Sequence, residues 1–191
     1  RWRREYQPAM EAVRSGARDY VTMDVLHREM LEPVLAEYGV AGLTEDEKWR
    51  LALGWRRLDP WPDVVAGMLR LKKTYTLAAV SNANIALAVE MAKRSGLPWD
   101  VVLGAELVRQ YKPKPAVYDG ASHFLGLKPH NVMMVACHTW DLDGARARGM
   151  KTGYVRRAAE YGGLTETKPP AAGTYDLQVA DFAELANRLG A

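Results

Sequence analysis

The sequence contains one cysteine, Cys137, in 191 residues. That excludes an intramolecular disulfide framework and fits a reducing cytoplasm. No apolar run approaches the ~20 residues needed to span a bilayer, and no secretory leader is visible, so no membrane partner is expected. Lys and Arg are scattered rather than gathered into a stripe with aromatics. The net charge of +3 is a small excess over 23 acids, which argues against a nucleic-acid partner. Cysteine and histidine nowhere fall together at metal-ligand spacing, and there is no internal repeat. The start is bare too: Arg1-Trp2-Arg3-Arg4-Glu5-Tyr6 has no Met and no capping residue, so it reads as a helix entered part-way in a fragment.

What is present divides into two compositions. Up to about residue 58 every segment reads as helix: residues 1–15, residues 24–38 with Asp24 as N-cap and Gly39 as stop, and a helix opened by the capping box Thr44-Glu45-Asp46-Glu47 and running through Trp55. A Pro-rich junction, Asp59-Pro60-Trp61-Pro62-Asp63, then leads into alternating elements. Short apolar strands at 76–80, 101–104, 132–135, 152–155 and 177–179 are separated by helices ending near Lys73, Ser95, Leu125, Gly149 and Leu189. Strands that alternate with helices predict an α/β fold with a doubly wound parallel sheet. The helical residues 1–58 are expected as a cap subdomain over the carboxyl edge of the core formed by 59–191. Trp49 and Trp55 fit either the cap interior or a homodimer contact.

Three loops at strand ends carry reactive side chains, where ligands of open α/β sheets bind. The first is Ser81-Asn82, either an anion site at a helix start or a plain N-cap. The second is Tyr111-Lys112-Pro113-Lys114-Pro115, followed by Tyr118. Its prolines fix Lys112 in extended backbone, poised to neutralise a buried carboxylate, whereas Lys114 reads as a solvated surface lysine. The third is Cys137-His138-Thr139-Trp140-Asp141 after the strand 132–135. Asp141 is either a helix cap or a site carboxylate. His138 titrates near neutrality, so it is a candidate acid, base or hydrogen-bond donor. Cys137 is more simply a small buried hydrophobe than a nucleophile.

In this order, Ser81-Asn82, Tyr111-Lys112-Pro113 with Tyr118, and Trp140-Asp141 before a Gly-Ala-Arg helix resemble the haloacid dehalogenase superfamily, and within it the type II L-2-haloacid dehalogenases. The resemblance implies a Rossmann-like core with a helical cap and a first core strand that this chain lacks. That strand ends in an Asp-x-Tyr/Phe-Gly-Thr motif bearing the nucleophile. Its loss is expected to leave apolar surface exposed. The implied reaction is displacement of halide from a small 2-haloalkanoic acid through an aspartyl ester, with no cofactor and no metal. By the same resemblance Arg3 embraces the leaving halide with Asn82 beside it, and Ser81 binds the substrate carboxylate. Lys112 keeps the nucleophile ionised, with Tyr118 in support. Asp141 positions Lys112 or the hydrolytic water, and Trp140 forms an apolar wall.

Two positions depart from the family pattern. Cys137-His138 stands where Ser-Asn is usual, so the role of His138 cannot be copied, and Ala83 replaces a frequent Gly. The rival readings are a Mg²⁺-dependent phosphatase of the same superfamily and a degenerate binding protein. The phosphatase pattern Gly-Asp-x-x-x-Asp needs a hard carboxylate where Cys137 stands.

Overall fold

The computed structural model describes residues 1–162 and 168–191. Regular structure before residue 58 is helical. A 3-10 turn at Trp2–Glu5 leads into α1 (Tyr6–Arg14), followed by α2 (Met23–Glu37), α3 (Glu45–Ala52) and a second 3-10 turn, Leu53–Arg57. One stripe of α2, formed by Met23, Leu26, Met30, Leu31 and Leu35, is buried. Fully burying a side chain of this size contributes about 1.5–3 kcal/mol. Met23, Leu26 and Met30 pack with Met10 and Val13 of α1 and with Leu87, Ala105 and Tyr111 from later in the chain. The helices before residue 58 and the elements after it therefore share one apolar cluster.

The capping box forms as the spacing predicts, with Thr44 Oγ1 accepting from Glu47 N at 3.3 Å and Thr44 N donating to Glu47 Oε2 at 2.8 Å. The expected N-cap role of Asp24 does not hold. The N-cap position of α2 is Thr22, and Asp24 lies one residue inside the helix. Its buried carboxylate instead accepts from Arg56 Nη2 and from Asn84 Nδ2, each at 2.6 Å. A residue that looked like a local helix-start signal is thus a long-range tie from α2 to Arg56 and to Asn84. Trp55 is also engaged within the chain, edge-on to Trp2 at 5.6 Å and stacked on His27 at 4.8 Å.

Beyond the junction, α4 (Val64–Leu71) precedes β1 (Ala78–Ser81), α5 (Ile85–Ser95), β2 (Val101–Gly104), α6 (Ala105–Val108) and α7 (Pro115–Leu125). Then come β3 (Met133–Ala136), α8 (Thr139–Arg146), β4 (Lys151–Val155), β5 (Leu177–Val179) and α9 (Phe182–Arg188). The predicted strands are all present within two residues at their starts. α7 begins on Pro115 and ends against Gly126 at φ 65°, the left-handed C-terminal stop that its sequence announces. Every strand pairing is parallel: β1 with β2, β3 with β4, and β4 with β5.

The sheet is in two pieces, β1-β2 and β3-β4-β5. Among the described residues β1 and β3 do not pair, and an apolar cavity of about 700 Å³ lies against both, lined by Ala79, Val80, Met134 and Val135 with Met68 and Leu185 from the flanking helices. Apolar side chains of both strands are thus open to this cavity. The two half-sheets are held together through one cluster containing Leu103 of β2, Tyr118 of α7, Met134 of β3 and Leu142 of α8. Among the described residues, no helix is long and apolar enough to cross a membrane.

Candidate active site

The carboxyl ends of β1 and β3 and the loop after α6 converge on a cavity of about 410 Å³, closed on the cap side by Arg3, Tyr6 and Gln7. Seven of the eight expected residues line it: Arg3, Ser81, Asn82, Lys112, His138, Trp140 and Asp141. Tyr118 is the exception. It stands behind the wall, fully buried, and reaches the site through Asp141.

At the floor, Lys112 Nζ lies 2.8 Å from Asp141 Oδ2, and Tyr118 Oη donates to Asp141 Oδ1 at 2.8 Å. Lys112 and Asp141 are only 5% and 6% exposed, so their charges compensate one another rather than water. Burial, reinforced by the Asp141 carboxylate, pushes the Tyr118 hydroxyl well above the ordinary tyrosine range, which keeps it a donor. Tyr118 passes so close under α8 that a Cβ on Gly144 would lie 2.7 Å from its Oη.

Asp141 is therefore not the cap of α8. That position is His138, and the Asp141 side chain turns down to the lysine.

The rigidity of Lys112 comes from more than its prolines. Its N–H donates to Asn82 Oδ1 at 2.8 Å, and its carbonyl accepts from Arg14 Nη1 at 2.9 Å. Asn82 is buried and thus links the loop after β1 to the lysine loop. Ser81 Oγ accepts from Ala83 N at 3.0 Å, so its hydroxyl braces the turn at the cavity edge. The N-cap position of α5 is Asn84, not Ser81 or Asn82. Gly104 closes β2 at φ 130°, where a Cβ would sit 2.2 Å from the Ser81 carbonyl oxygen, so glycine is required for β2 to approach this turn.

At the mouth, His138 stacks on Trp140 at 5.6 Å, and its Nε2 meets Glu160 Oε1 at 2.6 Å. Hydrogen bonds to Cys137 and to Glu160 outweigh burial and push the imidazole up to about 10. Arg3 Nη2 reaches the same Glu160 oxygen at 3.1 Å, and its guanidinium lies over the Tyr161 ring at 5.6 Å. Glu160 is the functional candidate that sequence reasoning missed. It lies 22 positions beyond His138 in a segment with no periodic pattern, and only the parallel pairing of β3 with β4 brings the two strand ends to one edge. The expectation that no metal-ligand cluster exists is corrected by the same fact: Cys137, His138 and Glu160 offer ligand atoms within 4.8 Å of one another.

A parallel α/β fold thus places a buried lysine–aspartate pair at the carboxyl edge of its strands, with the helical residues before 58 closing one side of the opening. A model of the haloacid dehalogenase-like hydrolase family matches residues 4–149. The chain belongs to that family. An (S)-2-haloacid dehalogenase 4A from Burkholderia cepacia is 34% identical over 113 residues, covering 58% of this chain and 49% of its own length, so the match spans about half of that relative. A crystal structure of an L-2-haloacid dehalogenase covers 100% of this chain and 81% of its own, at 45% identity and a TM-score of 0.95. A defluorinating L-2-haloacid dehalogenase structure covers 100% and 79%, at 41% identity and a TM-score of 0.96.

Proposed function

We propose that this chain supplies the cap and most of the active-site wall of an enzyme that hydrolyses short 2-haloalkanoic acids. The observation that carries the reading is the buried Lys112–Asp141–Tyr118 group opening onto a small cavity that also receives Arg3 and His138. A compact site with three cationic side chains suits a small anion with a second developing negative charge. The printed names of the relatives support the same substrate class.

In this reading an aspartate carboxylate on an upstream Asp-x-Tyr/Phe-Gly-Thr segment attacks the halogen-bearing carbon. The carbon–halogen bond breaks, the halide leaves with the bonding pair, and the carbon inverts as an aspartyl ester forms. Water then adds to the ester carbonyl, releasing the 2-hydroxy acid and restoring the carboxylate. Lys112 holds that carboxylate ionised and in place, as a compact point charge suited to a single acceptor. Asp141 and Tyr118 fix Lys112, or Asp141 orients the hydrolytic water. Ser81 binds the substrate carboxylate, and Arg3, with Asn82 nearby, receives the halide. His138, positively charged at neutral pH, adds a donor at the mouth, and Trp140 supplies an apolar wall beside it. No cofactor is needed for this sequence of steps.

The phosphatase reading fares worse because Cys137 stands where Mg²⁺ needs a hard oxygen ligand. The test is chloride release from L-2-chloropropionate, without added Mg²⁺, by a protein that carries the upstream segment in frame. Release is expected there and absent from residues 1–191 alone. Metal-dependent phosphate release with no halide release would sink the proposal.

A further inference from the structure

Cys137, His138 and Glu160 stand apart from the lysine–aspartate pair, at the mouth of the cavity rather than its floor. Cys137 and His138 follow β3 directly, so their backbone is set by the sheet, while Glu160 lies on the segment after β4. The carboxylate faces both neighbours at once: Oε2 lies 3.6 Å from Cys137 Sγ, and Oε1 lies 2.6 Å from His138 Nε2. All three residues are half-buried.

We propose that these three side chains form a site for a thiophilic divalent cation of the zinc class, with its fourth position open to the cavity. The donor set points to that ion class. One thiolate, one imidazole and one carboxylate are three protein ligands, the number that leaves a tetrahedral zinc one exchangeable position. Sulfur and imidazole select zinc-like ions and disfavour Mg²⁺, which wants oxygen.

The spacing is close to what such an ion needs. Metal–ligand bonds of about 2.0–2.3 Å place tetrahedral ligands roughly 3.5 Å apart. One ligand atom from each residue lies within 4.8 Å of the other two, so the three have to shift by about 1 Å, and the carboxylate, which now meets Cys137 through Oε2 and His138 through Oε1, has to turn one oxygen to the ion. The position of Glu160 outside any helix or strand makes that movement cheap, and Arg3, half-exposed on the same carboxylate, can swing into solvent.

The site does not depend on the dehalogenase reading and is tested without turnover. Tag-free, metal-free residues 1–191 are titrated with Co²⁺ and the spectrum recorded. Cys137 is the only cysteine in the sequence, so a sulfur-to-cobalt charge-transfer band has one possible source. The expected result is that band in the near ultraviolet, with visible bands of tetrahedral Co²⁺, saturating at one equivalent and abolished by Zn²⁺ but not by excess Mg²⁺. Cys137→Ser should lose the charge-transfer band. Glu160→Gln, an isosteric change on a surface segment, should keep the band but weaken binding about tenfold or more, at least the loss seen when an outer-shell partner of a metal ligand is removed. No charge-transfer band in the folded wild-type chain, or Co²⁺ affinity equal in wild type and Glu160→Gln, would overturn the proposal.

Discussion

Replacing Asp141 with asparagine removes one charge from the floor of the site while keeping its shape. Lys112 then stays buried, 5% exposed, and among the described residues its Nζ keeps the Met134 sulfur at 3.9 Å and the Tyr118 ring, whose centroid is 5.8 Å away, neither of which replaces the lost charge. Breaking a buried ion pair at one end costs about 3–5 kcal/mol, because the surviving charge stays desolvated. Tyr118 still finds an acceptor in the amide oxygen, so its loss is confined to the charge-assisted part of the bond, about 1 kcal/mol. The sum, roughly 4–6 kcal/mol, is a large fraction of the 5–15 kcal/mol that holds a domain together. Urea denaturation followed by far-ultraviolet circular dichroism measures it, with an unchanged slope as the control for two-state behaviour. The companion is the double variant Lys112→Met with Asp141→Leu, which buries no charge and should be more stable than Asp141→Asn alone. An Asp141→Asn protein within 1 kcal/mol of wild type at equal slope would refute the compensation argument, roughly the size of an ordinary neutral hydrogen bond.

Two further outcomes follow from other parts of the fold. Burial between Tyr6 and Trp55 lowers the His27 imidazole to about 4, so the unfolded chain, near 6.5, binds the extra proton first. Stability is therefore complete above pH 6.5 and lost as pH falls towards 4, by roughly 3 kcal/mol from this group; His27→Phe should flatten that part of the urea midpoint–pH curve, and an unchanged acid loss would discard the assignment. Gly144→Ala drives a methyl to 2.7 Å from Tyr118 Oη and to 2.9 Å from two of its ring carbons and should destabilise by about 1–3 kcal/mol, whereas in Tyr118→Leu, which removes ring and hydroxyl together, the same change should cost measurably less by urea denaturation.

Much of the fold could be read from local pattern. The apolar runs that became β1 to β5 are short, bounded by turn residues and separated by helix-length segments, so period and punctuation agreed. The Thr44 capping box and the Pro115 start of α7 are likewise local signals, and both elements form where those signals stand. Asp24 was misread because its partners, Arg56 and Asn84, lie 32 and 60 positions away, and proximity to a helix start offered a nearer explanation. Asp141 and Ser81 show a similar limit. Spacing alone left each between cap and site residue, and only the tertiary contact of Asp141 with Lys112 and the turn at Ala83 separate the two uses. Glu160 left no trace in the sequence, since a single acid in an aperiodic loop acquires meaning only when β4 runs parallel beside β3. The division of the sheet into halves was expressed in the sequence only through what the resemblance implied.

The floor of the active site joins two strand groups. Lys112 and the Asn82 that pins it follow the β1-β2 strands, whereas Asp141 lies on α8 after β3. Asp141 is gripped by Lys112 at 2.8 Å and by Tyr118 at 2.8 Å, and Tyr118 shares one apolar cluster with Leu142, the next residue of α8. The group that sets the lysine for chemistry is therefore also a fastening between the two strand groups, so a substitution made to alter the chemistry at this floor also alters how the core is tied together.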